Sequence, residues 1–134
     1  MRKRLSKKLQ SEWSVKKPLY LDKKDRRYAR HLKQLKTNGF SDSETWSLSS
    51  VIVDFVLPRL IRFKEINNGY PGGLTEESWD EILDKMIFAF QWIKEDGNCG
   101  KAYCKTSTEE RKENNTKCAE GLKLFAEYFR ALWW

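Results

Sequence analysis

Residues 74–97, LTEESWDEILDKMIFAFQWIKEDG, contain a helix start, an apolar stripe at helical spacing and a helix stop. Thr75 has the properties of an N-cap, and Trp79 stands at the position that packs back on Leu74. Gly97 ends the pattern. The apolar stripe consists of Trp79, Ile82, Leu83, Met86, Phe90 and Ile93. The segment therefore predicts an amphipathic third helix that packs by one face.

A second helix is predicted before this segment, from about residue 42 to residue 65. It opens with a capping box, in which Ser41 and Glu44 each accept a hydrogen bond from the other's amide. Because its apolar residues point in almost every direction, we expect a largely buried helix at the centre of the domain. Pro58 predicts a kink near residues 54–57.

The fourth helix is predicted to begin near Ser107 or Thr108, after which apolar residues recur at helical spacing. We expect its buried stripe to consist of Cys118, Leu122, Phe125, Phe129 and Leu132. The tryptophans at 133 and 134 are expected to fold back on the core, as aromatic residues of small domains usually do. An alternative is that they anchor a partner.

The first helix is predicted over residues 19–37, with Gly39 as its stop. Its apolar residues share one face, which consists of Leu21, Tyr28, Leu32 and Leu35. Cations occupy the opposite face, which consists of Lys23, Arg26, Arg27, Arg30 and Lys33. The pattern predicts a helix that docks by its leucines and presents cations to solvent.

These elements predict an all-α fold, a compact bundle of four principal helices with a central Pro-kinked helix. Residues 18–134 are expected to form a single domain. Residues 1–17 are a basic tail in which Leu5, Leu9 and Trp13 would share one face of a helix. Either the tail is disordered and solubilising, or it folds on contact with a partner.

Charge is distributed unevenly along the chain. Residues 1–36 hold fourteen Lys and Arg against three acids, a net +11, whereas residues 37–134 carry a net −4, giving +7 in total. The longest apolar run, residues 86–90, is far shorter than a membrane span, so no membrane role is expected. Three cysteines and no export signal indicate reduced thiols and a cytoplasmic protein. No cofactor is predicted.

The cationic face of the first helix is the first candidate site, because Arg and Lys one turn apart can each meet a phosphate of a nucleic acid. The nucleic-acid-binding residues would be Lys23, Arg26, Arg27, Arg30 and Lys33. Three other interpretations stay open: a solvated outer face, a surface for an acidic protein partner, and internal docking.

The outer face of the third helix is the second candidate, as a protein-binding surface. It comprises Glu77, Asp80, Glu81 and Asp84, followed by Phe88 and Trp92. An exposed aromatic pair often marks a contact surface. Alternatively, the basic first helix lies across this face and hides the aromatic pair.

Catalytic and metal sites are weakly indicated. Glu76, Glu77 and Asp80 have the E-E-x-x-D spacing of all-α nucleotide pyrophosphohydrolases, which use Mg²⁺, but the second helix has no matching acidic motif. Cys99 and Cys104, with Cys118 and His31, are a poor match to zinc spacings. His31 lies among cations and has no orienting acid nearby in sequence, which argues against nucleophilic catalysis. No metal ligand and no catalytic residue is assigned.

The segments Leu57-Pro58-Arg59-Leu60 and Ile82-Leu83-Asp84-Lys85-Met86 are the most specific parts of a resemblance that covers about residues 39–93. This stretch resembles a family of small proteins of tailed bacteriophages that has no established activity. The resemblance implies a phage accessory or host-takeover protein that binds host or phage components. We therefore expect a non-catalytic binding protein with a nucleic-acid partner or a host or phage protein partner, such as a defence or transcription component.

Overall fold

The computed structural model describes residues 17–97 and 107–133, and these are all-helical. Four α-helices are present in this part of the chain: α1 (Tyr28–Asn38), α2 (Leu48–Ile66), α3 (Glu76–Gly97) and α4 (Thr108–Glu127). A 3₁₀ helix, Asp42–Thr45, connects α1 to α2, and a second one, Phe129–Ala131, follows α4. The predicted all-α bundle is confirmed. Residues 1–16 of the basic tail predicted over residues 1–17 lie outside the described residues.

Polar side chains begin α3 and α4 as predicted. The Thr75 hydroxyl accepts a hydrogen bond from the Ser78 amide at 3.2 Å, and the Ser107 hydroxyl accepts one from the Glu110 amide at 3.2 Å. Both caps satisfy amides that have no partner inside the helix. Gly39 closes α1 with φ of 81°, and its amide donates to the Leu35 carbonyl at 3.0 Å.

The core forms where α3 packs against α2 and α4. Its buried residues are Val53, Leu57, Leu60, Trp79, Leu83, Met86 and Phe90. Two edge-to-face aromatic pairs join α3 to α4 and its C-terminal extension, Phe90 with Phe125 at 5.0 Å and Trp79 with Tyr128 at 5.6 Å between ring centroids. Burial of this apolar surface is the main stabilising contribution to the bundle.

The central helix is α3 rather than α2, which corrects the expectation from sequence. Backbone of α3 comes close to both α2 and α4, whereas α2 and α4 do not approach each other. Consequently only one face of α2 is covered, and Leu48 and Ile52 on its other face are about half exposed. Pro58 lies inside α2, which continues through it, and the kink it predicts stays a prediction.

Close approach of α3 and α4 depends on small residues. A Cβ atom at Gly121 would collide with the Lys85 carbonyl oxygen and would lie 2.7 Å from the Ala89 Cβ atom. Nearby, the Cys118 thiol contacts the Ala89 carbonyl at 3.6 Å. The buried stripe of α4 therefore includes Gly121, which sequence reasoning missed.

Two other expectations for the C-terminal region need correction. Leu122 and Phe129, predicted to be buried, are 38% and 60% exposed, because Leu124 and Tyr128 pack on the core instead. Trp133 is 77% exposed and does not fold back on the core. Within the described part of the chain, no helix is long and apolar enough to span a membrane.

Candidate nucleic-acid interface

The cationic segment before α1 is not helical, so α1 begins nine residues later than predicted. Asp22 accepts a hydrogen bond from the Lys24 amide at 2.9 Å, and Asp25 accepts one from the Arg27 amide at 2.8 Å. Such bonds hold the backbone in turns that compete with a helix. Tyr20 adds a left-handed residue, with φ of 61°. Lys23 and Arg26 therefore lie in turns, and only Arg30 and Lys33 of the predicted cationic face lie within α1.

Arg27 is held by an aspartate of the same turn. Its Nε donates to Asp25 Oδ1 at 3.0 Å and its Nη2 donates to Asp25 Oδ2 at 2.9 Å. These bonds, with the Arg27 amide, hold the pKa of Asp25 well below its usual range, and Asp25 in turn raises the pKa of Arg27. Arg27 thus forms a salt bridge with a carboxylate of the protein, although the sequence predicted that its charge would be available to a phosphate.

His31 docks α1 onto the first 3₁₀ helix. Its imidazole is buried, and its Nδ1 accepts a hydrogen bond from the Ser43 amide at 3.3 Å. The neutral ring therefore carries its proton on Nε2, which is buried and has no hydrogen-bond partner among the described residues. The Ser43 hydroxyl in turn bonds the Ser41 hydroxyl at 2.7 Å. His31 thus faces the protein interior rather than the cationic surface.

The connection between α1 and the 3₁₀ helix has a second polar contact at the surface. The Gln34 amide group donates to Asp42 Oδ2 at 2.7 Å, and its oxygen accepts from the Asp42 amide at 3.0 Å. The Ser41 amide donates to the Glu44 carboxylate at 2.7 Å, as the predicted capping box requires. These bonds fix the orientation of α1, whose backbone comes close to the 3₁₀ helix but to none of the other three described α-helices.

Four of the five predicted phosphate-binding cations have no side-chain partner among the described residues. The side chains of Lys23, Arg26, Arg30 and Lys33 are exposed and form no salt bridge or hydrogen bond there. Arg26 also contributes, through space, to the lowered pKa of Asp25. On α1, Lys33 lies about 160° around the helix from the buried His31, and Arg30 lies about 100° from it. This arrangement leaves the cations directed to solvent.

An exposed tryptophan contacts Arg27 of the cationic segment and was not predicted as part of the site. Trp46 follows the 3₁₀ helix and is 50% exposed. The Arg27 guanidinium lies over its ring, 5.3 Å from the centroid, and His31 packs against it at 5.5 Å in an edge arrangement. The sequence predicted one helix from about residue 42 to residue 65, so Trp46 was not distinguished from the apolar residues expected in that buried helix.

The outer face of α3 does not present an aromatic pair, which corrects the second candidate site. Trp92 is buried and donates its Nε1 hydrogen to Asn115 of α4 at 2.9 Å, and Phe88 is half-buried beside it. Helix α4, rather than α1, contacts Trp92, and Phe88 packs against the cluster that Trp92 forms with Ala89 and Cys118. The acids of this face stay exposed and comprise Glu77, Asp80, Glu81 and Asp84, of which Asp84 pairs with Lys64 at 2.6 Å.

The residues considered for metal or catalytic chemistry are scattered. Across residues 17–97 and 107–133, no group of three or more His, Cys, Asp and Glu side chains is arranged to hold a metal ion. Cys118 is buried between α3 and α4, far in the fold from the interior position of His31. Cys99 and Cys104 lie outside the described residues. Glu76, Glu77 and Asp80 are exposed on the first turns of α3.

Comparisons with protein-family models, with curated proteins and with solved structures found no match to this chain. No activity, ligand or partner is therefore transferred from a relative, and function is argued from the geometry alone.

Proposed function

We propose that this chain is a non-catalytic binding protein that holds nucleic-acid phosphates on the cationic surface formed by Lys23, Arg26, Arg30 and Lys33. The observation that carries this proposal is that these four side chains are exposed and form no salt bridge within the described residues. Cations that already form salt bridges within the protein would have to break those salt bridges before they could bind a phosphate.

The polar docking of α1 supports the same function. Because His31 and Gln34 hold the helix on the 3₁₀ segment, the exposed Arg30 and Lys33 have fixed positions on the surface of α1. A fixed cationic surface loses less conformational freedom on binding than a flexible basic tail. Phosphate contacts of this kind give affinity and position without reading sequence. We therefore expect binding with little base specificity and a strong dependence on salt.

The test compares two variants with equal loss of charge. Arg26→Ala/Arg30→Ala/Lys33→Ala removes three cations of the proposed surface. Lys112→Ala/Lys117→Ala/Lys123→Ala removes three exposed cations of α4. Fluorescence anisotropy with a labelled 20-nucleotide single strand in about 0.1 M salt should show roughly 100-fold weaker binding for the first variant, from three lost phosphate contacts. Equal weakening in both variants, with unchanged circular dichroism, would remove the proposal.

The setting proposed from the resemblance is the cytoplasm of a phage-infected host, where a small accessory protein would meet both nucleic acids and host proteins. A protein partner on the outer face of α3 is less favoured, because burial of Trp92 leaves mainly carboxylates exposed there. Charged residues at the rim of a protein interface contribute mostly to the association rate and to specificity rather than to affinity.

A further inference from the structure

We infer that Trp46 is a stacking platform for an unpaired base, so that the ligand of the cationic surface is single-stranded nucleic acid rather than duplex. The inference rests on the proposed function, since Trp46 alone would not hold a polynucleotide. It adds the class of nucleic acid and a residue that contacts a base.

The first support is the combination of exposure and rigidity at Trp46. Half of the residue is open to solvent, although its ring is held by two neighbours. His31 packs on it edge-on with an interplanar angle of 64°, and His31 itself is fixed by the Ser43 amide. The Trp46 amide also donates to the Ser43 carbonyl at 3.2 Å. A ring held in place before binding loses little conformational freedom when a base stacks on it.

The second support is the arginine that lies over the ring. Arg27 lies 5.3 Å from the centroid of the Trp46 ring while its Nε and Nη2 donate to Asp25, so it covers one face of the ring and a base would stack on the other. Arg26 and Arg30, on either side in sequence, keep their charges free for the backbone. Aromatic rings next to free cations are the pattern that binds single strands, because every base has a face that can stack.

Duplex would not use this arrangement. The faces of bases within a duplex are stacked on one another, so an exposed ring on the protein surface can reach them only after the strand is opened. A single strand offers both the phosphate for Arg30 and Lys33 and an unstacked base for Trp46. Single-stranded DNA and single-stranded RNA both offer phosphates and unstacked bases, so the inference applies to both.

The experiment uses the full chain and four probes of about twenty units: oligodeoxythymidylate, oligouridylate, an abasic strand and a DNA duplex. Wild-type protein should bind the two base-containing single strands at least fivefold more tightly than the abasic strand or the duplex. Trp46→Leu should reduce that preference to near one without changing the affinity for the abasic strand. Trp46→Phe should keep most of the preference but lose the quenching of tryptophan fluorescence that stacking produces.

Trp133→Leu is the matched control, because Trp133 is exposed but lies beyond α4. It should leave every affinity unchanged. If wild-type protein binds the abasic strand, the duplex and the thymidylate equally, the stacking inference is wrong and the phosphate proposal stands. If it binds none of the four probes, the proposed function itself fails. The wild-type comparison decides the inference even if Trp46→Leu does not fold.

Discussion

The two ends of the described chain are held together by different forces. The body formed by α2, α3 and α4 depends on apolar contacts, with Leu83 and Met86 fully buried and α4 brought close at Gly121. The unit formed by α1 and the first 3₁₀ helix is instead joined by hydrogen bonds at His31 and Gln34, and Leu32 and Leu35 of α1 are only partly buried. The difference explains how a small domain can keep one helix outside its core and use it to present charge.

The free energy gained by hydrophobic burial is proportional to the buried area and tolerates small shifts of the packed side chains. A hydrogen bond instead requires a specific distance and angle. The body should therefore unfold as one cooperative unit, and α1 should be able to detach without it. Local opening of an element with few apolar contacts costs less than global unfolding. Substitutions in the core should therefore destabilise the body, whereas substitutions in the α1 unit should leave the body folded.

Leu83→Ala should have the largest effect on stability. The side chain is fully buried between helices, so its truncation removes apolar contacts and leaves a cavity. We expect the free energy of unfolding in urea to fall by about 2–5 kcal/mol. Leu122→Ala, at a site 38% exposed on α4, is the control and should cost less than about 1 kcal/mol. Similar losses in both variants would contradict the position of the core.

Gly121→Ala should destabilise the body by overpacking. The added methyl group would collide with the Lys85 carbonyl oxygen, so α3 and α4 must separate, at a cost of about 1–3 kcal/mol. Gly72→Ala is the control, because no heavy atom lies within 4 Å of a Cβ atom there. Thermal unfolding measures both. A Gly121→Ala variant as stable as wild type would show that the two helices are not in close contact.

His31→Ala should release α1 and leave the body folded. The substitution leaves the Ser43 amide buried without its acceptor, which costs about 1–3 kcal/mol. Amide hydrogen exchange should accelerate in residues 30–38 and stay unchanged in α3. Lys33→Ala, on the exposed face of the same helix, controls for helix propensity. Faster exchange throughout α3 would contradict the independence of the two regions.

The effect of pH on the turn at Asp25 should be the smallest. Because Arg27 lowers the pKa of Asp25 in the folded state, the carboxylate stabilises the turn above its unfolded pKa of about 4. That contribution is lost as the pH falls from there through the lowered folded pKa. Carbon-13 NMR of the Asp25 carboxyl should show no titration down to about pH 3. An Arg27→Gln variant keeps the backbone amide that bonds Asp25 but loses the guanidinium, so it should raise the pKa of Asp25 only part of the way to its ordinary value. Ordinary titration in wild type would show that the pair does not form.

The body could be predicted from sequence because helical spacing and capping residues are local signals. Thr75, Ser107 and Gly39 marked helix ends correctly, and Trp79, Leu83, Met86 and Phe90 marked the core. The central helix was assigned wrongly because apolar residues on both faces of α2 predict burial, although only one face is covered. Gly121 was missed because it allows a close backbone contact, and a glycine adds no apolar side chain to the sequence pattern.

The candidate site was predicted only in part. Charge alone identified Lys23, Arg26, Arg30 and Lys33, but not that Asp22 and Asp25 would turn the backbone before α1. Burial of His31 depends on Ser43, twelve residues along the chain, and no local pattern indicates such a contact. Trp46 ends the 3₁₀ helix, and α2 begins only after Ser47, so Trp46 does not lie within the helix that was predicted to contain it. The sequence analysis had considered Arg27 and His31, but it could not show that both contact Trp46.

The salt dependence of nucleic-acid affinity tests the central claim, that the α1 unit presents free cations to phosphates. The logarithm of affinity for a 20-nucleotide single strand, measured against the logarithm of salt concentration, falls by about 0.7 per phosphate contact. Arg30→Ala/Lys33→Ala should therefore make the slope about 1.4 shallower than in wild type, while Lys117→Ala/Lys123→Ala on α4 should not change it. An identical slope and affinity in wild type and the α1 variant would contradict the account.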